Sequence, residues 1–141
     1  MGRVESIHIA AEHEHQPLPV DRVRAMAGRG LEGDRHADAG DITLIEAEAL
    51  EALAQEHGIE LGPGGSRRQV TTRGISLNDL VGVRFRVGDV EVVGTELCEP
   101  CNHLQKLTRP GVMRGLVHRA GINADVLTDG EIAVGDSIDR C

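Results

Sequence analysis

The segment Thr95-Glu-Leu-Cys98-Glu-Pro-Cys101-Asn-His103-Leu-Gln-Lys106-Leu107 concentrates residue types that do chemistry. A strand is expected to end at Cys-Glu-Pro-Cys and a short helical turn to begin there. A thiol at a helix start faces unpaired amide N–H groups and the positive end of the helix dipole, and both favour thiolate. With a pKa of about 8.5, only about 3% of a thiol is ionised near pH 7, whereas a pKa of about 7 would make it roughly half. Cys101 is thereby a candidate nucleophile or soft-metal ligand, with Asn102 and His103 placed to orient the sulfur or an incoming group. Other readings stay open. A cysteine pair also serves simply to fill an apolar gap. A structural zinc site from Cys98, Cys101 and His103 would need a fourth ligand, and no second Cys-x-x-Cys or His-x-x-x-His pair supplies one. A dithiol redox centre would call for a thioredoxin-like alternation of strands and helices, which is not present.

A second cluster, Gly64-Gly-Ser66-Arg67-Arg68-Gln69, sets flexible backbone before two guanidinium groups, whose planar forks suit phosphate. It lacks the Gly-Lys-Ser/Thr ending of a P-loop. Strand alternation would send Arg67 and Gln69 to one face and Arg68 to the other, so one arginine is expected to enter a pocket. Solvated surface arginines are the competing reading. His118-Arg119 and Gly33-Asp34-Arg35-His36 add polar groups in apolar or glycine-rich surroundings. Either histidine also fits an ordinary hydrogen-bonded structural role.

These groups must be carried by a mainly β framework. Residues 3–10 alternate as a first strand, and His13 to Pro19 is polar and proline-broken, a loop. Gly28 to Gly40 is a glycine-rich, charged loop, a candidate site wall. Ile42 to Ile45 is a short apolar run, and Ala47, Leu50, Leu53 and Ala54 mark one face of a helix over Glu46–His57, ended by Gly58. Arg67 to Arg73 is extended. Val83–Val87 and Val90–Val93 flank Gly88-Asp89 as a hairpin. Residues 112–119 predict a short helix, and Ala124–Leu127 and Glu131–Ile138 two closing strands joined at Thr128-Asp-Gly130. Val-Gly-Asp occurs at 87–89 and again at 134–136, the same turn chemistry used twice. Many short strands with one clear helix and one or two helical turns imply a barrel-like β fold.

The bulk numbers narrow the function. At 141 residues the chain is one domain, 1–141, able to bury roughly two-thirds of its unfolded surface. No apolar run of about 18 residues and no signal-like N-terminus occurs, so no membrane association and a cytoplasmic location are expected. Three cysteines are too few and too uneven for a disulfide framework. A formal charge of −8 argues against nucleic-acid binding, so an anionic ligand needs a local basic pocket. Fourteen of the fifteen basic residues are arginine, and Lys106 is the one lysine; no pyridinium-supporting motif surrounds it, which argues against pyridoxal phosphate held as a Schiff base. Phe85 is the sole aromatic residue, so the core must be aliphatic.

Gly30-Leu-Glu-Gly-Asp-Arg-His36, Arg67-Arg-Gln-Val70, Leu77-Asn-Asp-Leu-Val-Gly82, Phe85-Arg-Val-Gly-Asp89, Cys98-Glu-Pro-Cys101, His118-Arg119 and Ile132-Ala-Val-Gly-Asp136, in this order, resemble the MOSC family. That family is named for the C-terminal domain of molybdenum cofactor sulfurases. The resemblance covers nearly the whole chain and implies a MOSC-type β-barrel-like fold. It implies a role in handling sulfur or binding the molybdenum-pterin cofactor. In the family pattern the functional cysteine follows a proline, which maps to Cys101, as a persulfide carrier or molybdenum ligand; Cys98 lies outside the narrowest form of that pattern. Arg67 or Arg68, with Gln69, Asp34 and His36, would hold the cofactor, and His118 with Arg119 would close the polar wall. A cysteine desulfurase or an electron-transfer partner is the implied protein partner. Larger relatives reduce N-hydroxylated compounds, which keeps a reductase working with separate electron donors as an alternative. A non-catalytic module for a small anionic metabolite or a partner protein is another. The oligomeric state is left open by the sequence.

Overall fold

The computed structural model describes residues 2–10, 17–34, 40–61, 66–98 and 119–141. Among them are ten strands, one α-helix and one 3-10 turn. In chain order the strands are β1 (Gly2–Ile9), β2 (Leu18–Val20), β3 (Arg22–Ala25), β4 (Asp41–Glu46), β5 (Val70–Arg73), β6 (Arg84–Val87), β7 (Val90–Leu97), β8 (Ile122–Val126), β9 (Gly130–Ala133) and β10 (Ser137–Arg140). Helix α1 (Ala47–His57) links β4 to β5, and the 3-10 turn is Leu77–Leu80.

The main sheet runs β10-β6-β7-β8-β4-β5-β1-β2, and β1 also pairs with β10. That pairing closes seven strands into a barrel and leaves β2 as a flap on β1. Every described strand pair is antiparallel except β4–β5, where α1 makes the crossover that parallel neighbours need. Strands β3 and β9 form a separate two-stranded sheet.

Alternation explains the interior. Along β6, Phe85 and Val87 are buried while Arg84 and Arg86 face water. Along β8, Ile122, Ala124 and Val126 turn inward. These residues join Val4, Ile7, Ile42, Leu44, Val70, Val92 and Ile138 in one core with Phe85 as its only ring. In β1 the register shifts between Val4 and Ser6, and past that bulge both Ile7 and His8 are buried. Arg73 fastens the helix to the barrel, with Nε 2.6 Å from Glu5 and Nη2 2.9 Å from Glu51.

The two Val-Gly-Asp turns abut. Gly88 has φ 60° and donates its N–H to the Ser137 carbonyl at 2.9 Å. Asp136 caps the other turn by accepting the Ala133 N–H at 2.8 Å. A side chain on Gly88 would run into the Asp136 carboxylate, so the repeated tripeptide is a matched pair of corners at the β6–β10 seam.

Two expectations are corrected and one strand is added. Leu18 and Pro19 belong to β2 rather than a loop, because Pro19 sits on the sheet edge, where its missing N–H costs no ladder bond. Glu131–Ile138 is not one strand: the Val-Gly-Asp turn divides it into β9 and β10, which join different sheets. Strand β3 carries no apolar run and was not foreseen; two buried residues, Val23 and Ala25, alternate with exposed arginines. The expected helix over 112–119 lies outside the described residues except for Arg119. No described helix is long and apolar enough to cross a membrane.

Candidate functional site

A cleft of about 210 Å³ opens where β1 ends, β5 begins and β7 ends. Its walls come from His8 and Ala10 at the end of β1, Pro17 before β2, Asp34 after β3, Thr43 on β4, Arg67, Arg68 and Gln69 before β5, and Cys98 after β7.

The turn into β5 gives the cleft its basic side. Arg67 has φ 61°, in the left-handed region that few non-glycine residues adopt. This breaks the strand alternation expected from Arg67 onward, so Arg67, Arg68 and Gln69 all reach the same cleft instead of two opposite faces. The reversal also lets the Arg68 N–H return to Ser66 Oγ at 3.2 Å.

Arg68 is a brace. Its Nε donates to the Ala120 carbonyl at 2.9 Å and its Nη2 to the Cys98 carbonyl at 3.0 Å. Cys98 is held from its other side by its own N–H, which donates to the Gly121 carbonyl at 2.8 Å. Gly121 in turn has φ 95° and lies against the Leu44 carbonyl, a space that admits no Cβ. The backbone at which Cys98-Glu-Pro-Cys101 starts is thus fixed on both faces.

Gln69 and Asp34, 7% and 8% exposed, form the floor. Gln69 Nε2 donates to Asp34 Oδ2 at 2.8 Å, and Gln69 Oε1 accepts the Thr43 N–H at 2.8 Å. The Gln69 N–H donates to Thr43 Oγ1 at 2.9 Å, and Asp34 Oδ1 accepts the Ala10 N–H at 2.8 Å. Each buried acceptor has a donor, so the floor is a closed, rigid network.

His8 completes the wall. It is 4% exposed, and among the described residues neither Nδ1 nor Nε2 has a hydrogen-bond partner. Burial pushes its imidazole below the usual value of 6.5, toward the neutral form. The sequence placed His8 in a strand without a role. The available signal was a histidine between two isoleucines, and the bulge that buries it was not legible.

The structure therefore brings together Asp34, Arg67, Arg68, Gln69 and Cys98. Arg119 lies elsewhere: its Nη1 meets Glu56 at 3.1 Å, lining a second, acidic cleft with Glu46 and Glu48. There, burial raises the Glu46 carboxyl above its usual range, against the lowering effect of the Leu77 N–H bond. His36, Cys101, Asn102, His103 and His118 lie outside the described residues. Among the described residues, no group of three or more histidine, cysteine, aspartate or glutamate side chains could hold a metal ion.

The closed barrel with a cleft at the β5 entrance defines a class of small β proteins, and the sequence places it further. A model of the MOSC domain matches residues 33–139, and the chain belongs to the MOSC family. Among solved structures it is similar to the YuaD protein of Bacillus subtilis, with a TM-score of 0.85 and 18% identity, over 99% of this chain and 96% of that one. It is also similar to YiiM of Geobacillus stearothermophilus, with a TM-score of 0.77 and 18% identity over 100% of this chain and 75% of the other. YiiM of Escherichia coli follows the same course, with a TM-score of 0.72 and 17% identity over 99% and 69%. A search of curated proteins gave no significant match. At these identities the structural likenesses speak for the fold.

Proposed function

We propose that this MOSC protein handles sulfur, or binds the molybdenum-pterin cofactor, with Cys101 as the reacting thiol. The observation that carries the reading is the Arg68 brace, which ties the start of Cys98-Glu-Pro-Cys101 to the arginine-lined wall through the Cys98 carbonyl. In the sulfur branch, the Cys101 thiolate attacks the outer sulfur of a donor persulfide. A new S–S bond forms on Cys101, the donor S–S bond breaks, and the donor leaves as thiolate.

The cleft's chemistry suits the cofactor branch. Two arginines and a buried imidazole whose nitrogens have no partner among the described residues match an anionic, hydrogen-bonding group. Arg67 or Arg68 would hold its phosphate, Asp34 and Gln69 would fix the floor, and Cys101 would offer a soft ligand to the metal. When bound, the group would supply a redox-active metal centre. His36, Asn102, His103 and His118 are assigned to orienting and enclosing roles, Arg119 is not because it pairs with Glu56 in the acidic cleft, and a desulfurase or an electron-transfer protein would be the partner. Reduction of N-hydroxylated compounds with separate electron donors falls within this branch.

A second reading, a binding module for a small anion, is favoured by one feature: among the described residues, the Asp34–Gln69–Thr43 floor is tied together without a thiol.

Metal and pterin content of anaerobically purified protein, measured beside Cys101→Ser, separates the branches. Molybdenum with pterin in the wild type alone supports ligation by Cys101. Equal content in both proteins contradicts a ligand role for that thiol, and undiminished binding of a small anion by Cys101→Ser favours the module.

A further inference from the structure

His8 is the cleft group whose specific bond to a ligand remains to be assigned. Its neighbours are spoken for: Asp34 accepts from Ala10 and Gln69, Gln69 is locked to Thr43, and Arg68 braces two carbonyls. The imidazole is 4% exposed, and neither ring nitrogen has a partner among the described residues. Buried polar atoms without partners are costly, and a site that contains them is built for a ligand that supplies the missing bonds.

The surroundings indicate the sign and size of that ligand. Among the described residues, the charged and titratable groups lining the cleft with His8 are Asp34, Arg67, Arg68 and the Cys98 thiol. Among the described residues the lining carries two guanidinium groups and one carboxylate, a basic wall in a chain whose formal charge is −8. Its volume of about 210 Å³ suits a tetrahedral anion with its first waters, or the phosphate end of a longer ligand that extends beyond the cleft.

We propose that the cleft binds a tetrahedral oxyanion, free or as the terminal phosphate of a larger ligand, and that His8 is its proton-linked contact. Without the anion the imidazole stays neutral, because a buried cation would lack compensation. A bound anion provides that compensation, so His8 takes up a proton and donates a charge-assisted hydrogen bond. By linkage, the anion then binds more tightly as pH falls. This rests on the reading that the cleft is the ligand site, and it adds the ligand's chemistry and a residue to read it.

Sulfate is the probe, because its charge stays constant while imidazole titrates. Calorimetry on the whole chain, in buffers of different ionisation enthalpy, should show net proton uptake on binding. The affinity should fall as pH rises, by up to about tenfold per unit between the free and the liganded imidazole's pKa values. His8→Asn should bind at least about tenfold more weakly near pH 6 and lose that slope. Nitrogen NMR of the His8 ring in the wild type gives a readout independent of any variant's folding: its titration should shift upward when sulfate is added.

An identical pH slope in His8→Asn would overturn the proposal, as would ring signals indifferent to sulfate. Failure of sulfate, inorganic phosphate and a hydroxymethylpterin phosphate monoester all to bind would overturn it too. Tighter binding of the monoester, with the same proton uptake, assigns the anion to a larger ligand; tighter binding of inorganic phosphate assigns it to a free ion. Sulfur loading on Cys101 is measured separately by mass. Loading without anion binding overturns this proposal alone, and anion binding without loading overturns only the thiol reading.

Discussion

His8 shows how one side chain couples the cleft to pH. Its pKa in the folded chain lies below its ordinary value because burial penalises the imidazolium. As pH falls below about 6.5, the unfolded chain takes the proton first, so stability is lost between the unfolded and folded pKa values and is complete above them. The slope from this one group is at most about 1.4 kcal/mol per pH unit. The melting temperature of the wild type should therefore drop on acidification from about pH 7 to 5 more steeply than that of His8→Gln. Equal slopes would show that His8 is protonated alike in both states. Adding sulfate should lessen the wild-type drop, since the anion compensates the charge.

At the scale of elements, the cleft depends on how three strand ends are tied. Arg68 spans from the entrance of β5 to the carbonyls of Cys98, just after β7, and Ala120, two residues before β8. Arg68→Ala should cost about 2–4 kcal/mol in urea unfolding, since two charge-assisted bonds vanish from a half-buried site. Arg68→Lys should recover less than half of that, because an ammonium cannot reproduce the guanidinium fork. Full recovery by lysine would mean that charge, not the two-carbonyl brace, is what matters. This turn is also where the sequence misled: alternation split Arg67 and Arg68 between faces, whereas the positive φ at Arg67 gathers them. Nothing in the residue type announced that conformation, because arginine there is held by its surroundings rather than by preference. The Val-Gly-Asp turns were legible as turns, since glycine-aspartate punctuation is local. That the second one separates β9 from β10 depends on which sheet each strand joins, a long-range matter.

For the whole molecule, composition foretold an aliphatic core, and the barrel interior is built from valine, leucine and isoleucine around Phe85. The hairpin β6–β7 and helix α1 followed from local pattern, and so did the β-rich class. Closure through β1 and β10 did not, because it pairs the two ends of the chain. Phe85→Ala should lower stability by about 3–5 kcal/mol, and Phe85→Leu by markedly less, read from chemical unfolding. A loss below about 1 kcal/mol for the alanine variant would contradict a tightly packed barrel centre. The formal charge of −8 turned attention to a local basic pocket for any anionic ligand, and Arg67 and Arg68 do line one cleft together.

The central claim, that Cys101 is the reacting thiol, is tested most directly by intact and peptide mass spectrometry after incubation with a cysteine desulfurase and free cysteine. The account predicts a gain of about 32 Da on the Cys101 peptide, removed by reductant and missing from Cys101→Ser. The same gain in Cys101→Ser, carried instead by Cys98 or Cys141, would contradict it.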